Sequence, residues 1–196
     1  MGQALIIVLA AAVVAVAAWG TRDWLPFAGR RSSGNSLDRT PFSIDKQTGS
    51  VRLKDSTAVL RSGMPKTELL DSDLYRHTTS AKHFALKDGQ GHSFLISFRD
   101  PAFENVHLWL NFENDRLGRM DFGWGPKGTL VEWTEERVQA DVARYRNFLV
   151  RQLGPINSFP YEFSWGIVYA GKDPKAGAPA IGIRYKGFEF RAPDTP

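Results

Sequence analysis

The 196-residue sequence contains no cysteine. Disulfides, zinc–thiolate sites, thiol nucleophiles and an acylated cysteine anchor are therefore excluded. It also lacks a lysine and arginine block, because the formal charge of +4 is split evenly between residues 1–41 and the remainder. Nucleic acid and polybasic lipid contacts need such a block, so nucleic acid is not expected as a partner. Histidine is scarce, with His77, His83, His92 and His107 making up all four. None of them forms H-x-H or H-E-x-x-H, and no G-x-S-x-G occurs, so no catalytic set, metal-ligand set or cofactor is expected. Gly91-His92-Ser93 does place a serine beside a histidine. Adjacent strand residues point to opposite faces, which blocks proton transfer between those two. Gly123-Trp124-Gly125-Pro126-Lys127-Gly128 fits G-x-G-x-x-G. Pro126 removes an amide that a pyrophosphate would need and the next helix starts only near Glu135, so the expectation is a tight glycine turn.

A long charge-free segment is present instead. Residues 4–19 read ALIIVLAAAVVAVAAW, and no charged side chain occurs in residues 1–21. At ~1.5 Å per residue that stretch spans roughly 31 Å, close to a hydrocarbon core of ~30 Å. The missing basic n-region favours a retained transmembrane helix, while Ala15-Val16-Ala17 keeps a cleaved signal peptide as the alternative. Arg22, Arg30 and Arg31 follow the run and orient the rest of the chain to the cytoplasm by the positive-inside rule. The expected location is the inner membrane, single-pass; the alternative is periplasmic or secreted. Ile6 occupies the position where a myristoylation signal favours Ser or Thr. The expected division is an anchor at 1–27, a Gly/Ser/Arg-rich tether at 28–41, a folded domain at 42–191 and a tail at 192–196.

The domain reads as α+β, a mostly antiparallel sheet with one short and one long packing helix. A hairpin is expected from 42–45 and 50–54, then strands at 83–87, 93–99, 106–113, 117–122, 163–169 and 180–186. Val106, Leu108, Leu110 and Phe112 alternate with His107, Trp109, Asn111 and Glu113. Phe94, Ile96 and Phe98 repeat the apolar pattern, as do Phe163, Trp165, Ile167 and Tyr169, then Ile181, Ile183 and Tyr185. Pro65 suits a first helical position for a helix over about 65–75 with Leu69, Leu70 and Leu74 inward. Thr134 is the expected N-cap of the long helix, with Val138, Val142, Tyr145, Leu149 and Leu153 facing the sheet. Arg137, Arg144 and Arg151 then line a solvated face.

The residues alternating with the core carry the candidate site. Arg99, His107, Trp109, Asn111, Glu113, Arg119, Asp121 and Arg184 compose a polar, charge-mixed face with an embedded tryptophan, as protein-binding surfaces do. An ordinary half-exposed antiparallel sheet offers the same composition.

Two stretches resemble known families. Leu60-Arg61-Ser62-Gly63-Met64-Pro65-Lys66-Thr67-Glu68-Leu69-Leu70 resembles the opening of small bacterial envelope domains of the beta-lactamase-inhibitor-like and outer-membrane-assembly lipoprotein group. The pattern from Trp133-Thr134-Glu135-Glu136-Arg137 to Phe163-Ser164-Trp165-Gly166 is similar to uncharacterised bacterial membrane-tethered proteins of the toxin-immunity kind. Neither transfers a functional residue. The resemblance implies a protein-binding module tethered through residues 4–19, an immunity-type inhibitor of a bacterial toxin. One alternative is an accessory subunit whose Ala-rich apolar helix packs on partner helices. Another is a hydrolase or metal enzyme built around His83, His92 or His107.

Overall fold

Alternating runs become strands here, and short turns make their pairing antiparallel. The computed structural model describes residues 40–86, 89–99, 105–125, 134–172 and 178–188, all within the unit Leu37–Pro196. Strands β1 (Phe42–Ile44), β2 (Val51–Leu53) and β3 (Val59–Leu60) form a small sheet in that order. A larger sheet contains β4 (Thr78–Leu86), β5 (Gly89–Phe98), β6 (Asn105–Glu113), β7 (Arg116–Gly125), β8 (Tyr161–Phe163), β9 (Gly166–Lys172) and β10 (Pro179–Tyr185). Its spatial order is β4-β5-β6-β7-β10-β9-β8. After the β4–β7 meander the chain runs through helix α2 (Glu135–Leu153) to the far edge. The last three strands then step inwards until β10 meets β7.

The β6–β7 turn shows how local chemistry sets register. Asn114 and Asp115 have φ of 48° and 61°, the left-handed pair that a two-residue hairpin requires and that these residue types tolerate best. Helix α2 is capped as its sequence suggests, with the Thr134 side chain accepting from the Arg137 amide at 3.4 Å. Val138, Val142, Tyr145, Phe148, Leu149 and Leu153 are all buried. The Tyr145 hydroxyl donates to the Trp124 carbonyl at 2.8 Å and accepts the Trp124 amide at 2.9 Å. It thus satisfies both backbone groups at the end of β7, where an unpaired group would be costly.

The small sheet and α2 pack over one face of the large sheet and share its core. Phe42 sits edge-on to Phe122, Trp124 and Phe148, joining β1, β7 and α2. The β1–β2 turn docks against the far side of the domain. Gly49, at φ +68°, lies so close beneath Trp165 that a Cβ would come within 2.4 Å of the ring. The Trp165 indole donates to the Lys46 carbonyl at 2.9 Å. The Tyr185 hydroxyl donates to Gly49, also at 2.9 Å.

Several expectations need correction. The expected architecture began with a membrane-spanning helix, but among the described residues no helix is long and apolar enough to cross a membrane. The longest, α2, carries Arg137, Arg144, Arg146 and Arg151, which bilayer hydrocarbon would not accept. The described chain is mostly antiparallel sheet with few helices. The apolar run at 4–19, the side of the membrane inferred from it and the tether up to residue 39 lie outside the described residues.

The short helix α1 (Lys66–Leu70) stops after five residues and is followed by a 3₁₀ turn at Tyr75–His77. Ser72 bonds back to the Leu69 carbonyl at 2.6 Å and Asp73 accepts from Ser56 at 2.7 Å, side-chain bonds that compete with helix continuation. Pro65 stands at its N-cap rather than its first position, and Leu70 is exposed while Leu69 and Leu74 are buried. Gly123 and Gly125 belong to β7 rather than to a turn, and residues 126–128 lie outside the described residues. Arg144 is half-buried instead of solvated. It pairs with Asp141 at 3.0 Å and donates to the Trp124 carbonyl at 2.7 Å.

Candidate protein-binding face

The face of the large sheet opposite the core is organised in rows by strand register. One row runs Lys82, Ser93, Asn111, Arg119, Arg184, Ile167 across β4, β5, β6, β7, β10 and β9. The next runs Ser80, Leu95, Trp109, Asp121, Gly182, Tyr169. On β5, β6, β7 and β10 these residues alternate with core residues, which is why that part of the pattern was readable from sequence. Seven of the eight sequence-selected residues share this face: His107, Trp109, Asn111, Glu113, Arg119, Asp121 and Arg184. One Glu113 carboxylate oxygen is enclosed with no hydrogen-bond partner among the described residues. Arg99 does not join them. It follows the end of β5 and lines a cleft of about 130 Å³ with Asp73, His77 and Phe98.

A fixed polar cluster occupies the middle. Arg119 donates through Nε to Asp121 Oδ2 at 2.7 Å and through Nη2 to Oδ1 at 3.0 Å. Nη2 also donates to the Tyr169 hydroxyl at 3.0 Å. That hydroxyl in turn donates to Asp121 Oδ1. Burial, and then the adjacent carboxylate, push the Tyr169 hydroxyl up to about 12, so it remains a donor near neutrality. Tyr169 reaches Asp121 by crossing β10 at Gly182, where a Cβ would fall 1.9 Å from its Cζ. Arg184 lies over the same ring, 5.6 Å from its centroid. Beside this cluster stands Trp109, whose register partners are Leu95 and Asp121 and which remains 45% exposed.

Sequence reasoning placed Ile167 and Tyr169 in the core and missed Gly182. The expected strand at 163–169 is in fact two, because Ser164 and Trp165 turn the chain between β8 and β9. That reversal sends Val168 and Ala170 into the core, and Ile167 and Tyr169 to the opposite face. A signal was available in Ile181-Gly182-Ile183: a glycine inside an alternating strand marks a place where something large lies flat across it.

Three of the four histidines lie in the large sheet and divide between its two faces, while His77 sits in the 3₁₀ turn before it. His107 is on the open face, with Nδ1 2.9 Å from Ser97 Oγ. His83 and His92 are paired on the other, with rings edge-on and centroids 4.5 Å apart. His92 Nε2 lies 3.2 Å from both Lys66 Nζ and Asp115 Oδ1. His83 and His92 are therefore brought together, while His107 stands apart from them on the opposite face. Among the described residues no group of three His, Cys, Asp or Glu is placed to hold a metal.

Burial lowers the pKa of His92 and His107, and for His92 the nearby Lys66 ammonium and His83 add to burial against the opposing pull of Asp115. Both folded values lie below the ordinary 6.5, so folding favours neutral imidazoles. Their contribution to stability is complete above that value and is lost as pH falls through the folded values. The melting temperature should drop between pH 7.5 and pH 5, and drop less in the His92→Gln/His107→Gln double variant. An identical drop in both proteins would remove the histidines from the explanation.

No family model matches the chain, and no curated protein matches it. Among solved structures it is similar to one described as "Rhs1-CT in complex with cognate immunity protein RhsI1". The identity is 16% and the TM-score 0.46, over 77% of this chain and 91% of that chain. No residue role is carried over at that level of similarity.

Proposed function

We propose that the chain is a protein-binding module that engages its partner through the open face of the large sheet. The observation that carries this reading is Trp109, an exposed indole beside a preorganised Arg–Asp–Tyr cluster, on a sheet whose other face already holds the core. Tryptophan with ordered polar neighbours is the composition of an interface hot spot, and a rigid cluster loses little freedom on docking. The finer reading is an immunity-type inhibitor of a toxin, the class to which the 133–166 sequence pattern is similar.

Immunity proteins are encoded beside the toxins they inhibit, so the neighbouring gene product is the partner to test. Co-expression should give a stoichiometric complex and relieve any growth arrest that product causes. Trp109→Ala should weaken the complex at least tenfold, as loss of a hot-spot tryptophan does, while leaving the melting temperature nearly unchanged. Full protection by a folded Trp109→Ala chain would remove the face from the reaction. Failure of the neighbouring product to bind would remove the immunity reading.

A further inference from the structure

Charge on the open face is unevenly shared. Arg119 and Arg184 are direct cross-strand partners on β7 and β10, a juxtaposition of like charges that is unfavourable unless an acid intervenes. The nearest acid is Asp121, and its two oxygens are already taken by Arg119 and the Tyr169 hydroxyl. Glu162, at the β8 end of the same row, is paired with Lys186 at 3.0 Å, and Glu113 lies on β6 with one oxygen enclosed. Arg184 is exposed, lies over the Tyr169 ring at 5.6 Å from its centroid, and has no carboxylate within 4.0 Å among the described residues. Lys82 stands exposed at the far end of the same row, also without a carboxylate at that range among the described residues. Two cations on one register row are thus unmatched, with Trp109 in the adjacent row between them.

The arginine is also held ready. Gly182 lets Tyr169 lie flat across β10, and the ring then supports the guanidinium from below. A guanidinium held over an aromatic face by cation–π attraction leaves N–H groups free to meet a carboxylate in the fork geometry that suits it. Four strand spacings of ~4.8 Å separate Lys82 from Arg184, about 19 Å, which roughly 13 residues of helix would bridge.

Building on the docking reading above, we infer that the partner presents an acidic segment here. An Asp or Glu side chain docks on Arg184, an apolar side chain covers Trp109, and a second acid reaches Lys82.

Random 16-residue peptides displayed on phage, panned on the immobilised full chain, test this directly. Selected peptides should be enriched in Asp and Glu together with a large apolar residue. Their synthetic versions should lose about tenfold or more in affinity against Arg184→Gln, and should weaken as salt rises. Arg184→Lys, which keeps the charge without the planar fork, should fall between. Arg184 is exposed, so unchanged melting temperatures will certify that the variants are folded.

Peptides without acidic enrichment that need Trp109 but ignore Arg184→Gln would overturn the acidic partner and leave the docking face standing. Peptides indifferent to both positions, or no peptide above background, would overturn the docking face as well. A 16-nucleotide single strand that binds more tightly than the peptides through Arg184 would overturn the assignment to protein.

Discussion

Replacing Phe42 with alanine should lower the melting temperature by about 10 °C. Phe42 is 2% exposed, and its ring meets Phe122 at 4.3 Å, Trp124 at 5.1 Å and Phe148 at 5.4 Å, each edge-on. Those three residues belong to β7 and α2, so this one ring ties the small sheet to both. Truncating a buried phenylalanine costs about 3–5 kcal/mol when the cavity cannot collapse. At about 2–4 °C per kcal/mol for a domain of this size, the shift follows. Ser43→Ala on the exposed side of β1 is the control and should move the midpoint little. Chemical denaturation of both variants checks the size of the effect. A loss below about 1 kcal/mol for Phe42→Ala would mean that the small sheet is not held to the large one through this ring.

The second large effect belongs to Gly182. A valine there would put Cβ at 1.9 Å from Tyr169 Cζ and 2.3 Å from its hydroxyl. The tyrosine would have to leave, taking with it the donor to Asp121 and the platform under Arg184. Overpacking of this kind typically costs about 1–3 kcal/mol. Binding should suffer beyond that, because Trp109 would remain while the arranged charges beside it would not. Tyr169→Ala makes room for the new side chain, so Gly182→Val/Tyr169→Ala should be more stable than the sum of the single variants allows. Simple additivity in a double-mutant cycle would count against the crossing of Tyr169 over Gly182.

Much of this layout was legible because burial on one side forces period-two alternation. The long apolar–polar strands β5, β6, β7 and β10 could each be assigned a face from sequence alone, and with them seven of the eight site residues. Thr134 likewise marked the start of α2. What escaped was set by contacts distant in sequence. Whether 163–169 is one strand or two depends on a turn whose tryptophan is held by Lys46, more than a hundred residues away. Strand β3 has only two residues, too few to show a period. Arg99 kept the alternation of β5 on paper, yet pairing ends at Phe98. Arg144 looked like one of three solvated arginines until Asp141 and the Trp124 carbonyl drew it inward. Tyr169 could not be recognised without Gly182 beside it, since only the pairing of β9 with β10 brings them together.

The position of β10 bears on the birth of the molecule. The strand that completes the sheet beside β7 starts at Pro179, whereas β7 ends at Gly125. A ribosome adding ~5–20 residues per second needs about 3–11 s to make the stretch between them. A hairpin forms in microseconds, so the β4–β7 meander can be paired long before its neighbour exists. During those seconds the edge of β7 that β10 will occupy stands as an open row of amides and carbonyls, and its apolar face can be covered by α2 only once Leu153 has been added. The interval of greatest exposure to aggregation therefore falls late in synthesis, and a chaperone that shields nascent chains should matter more for this protein's yield than for its stability once made.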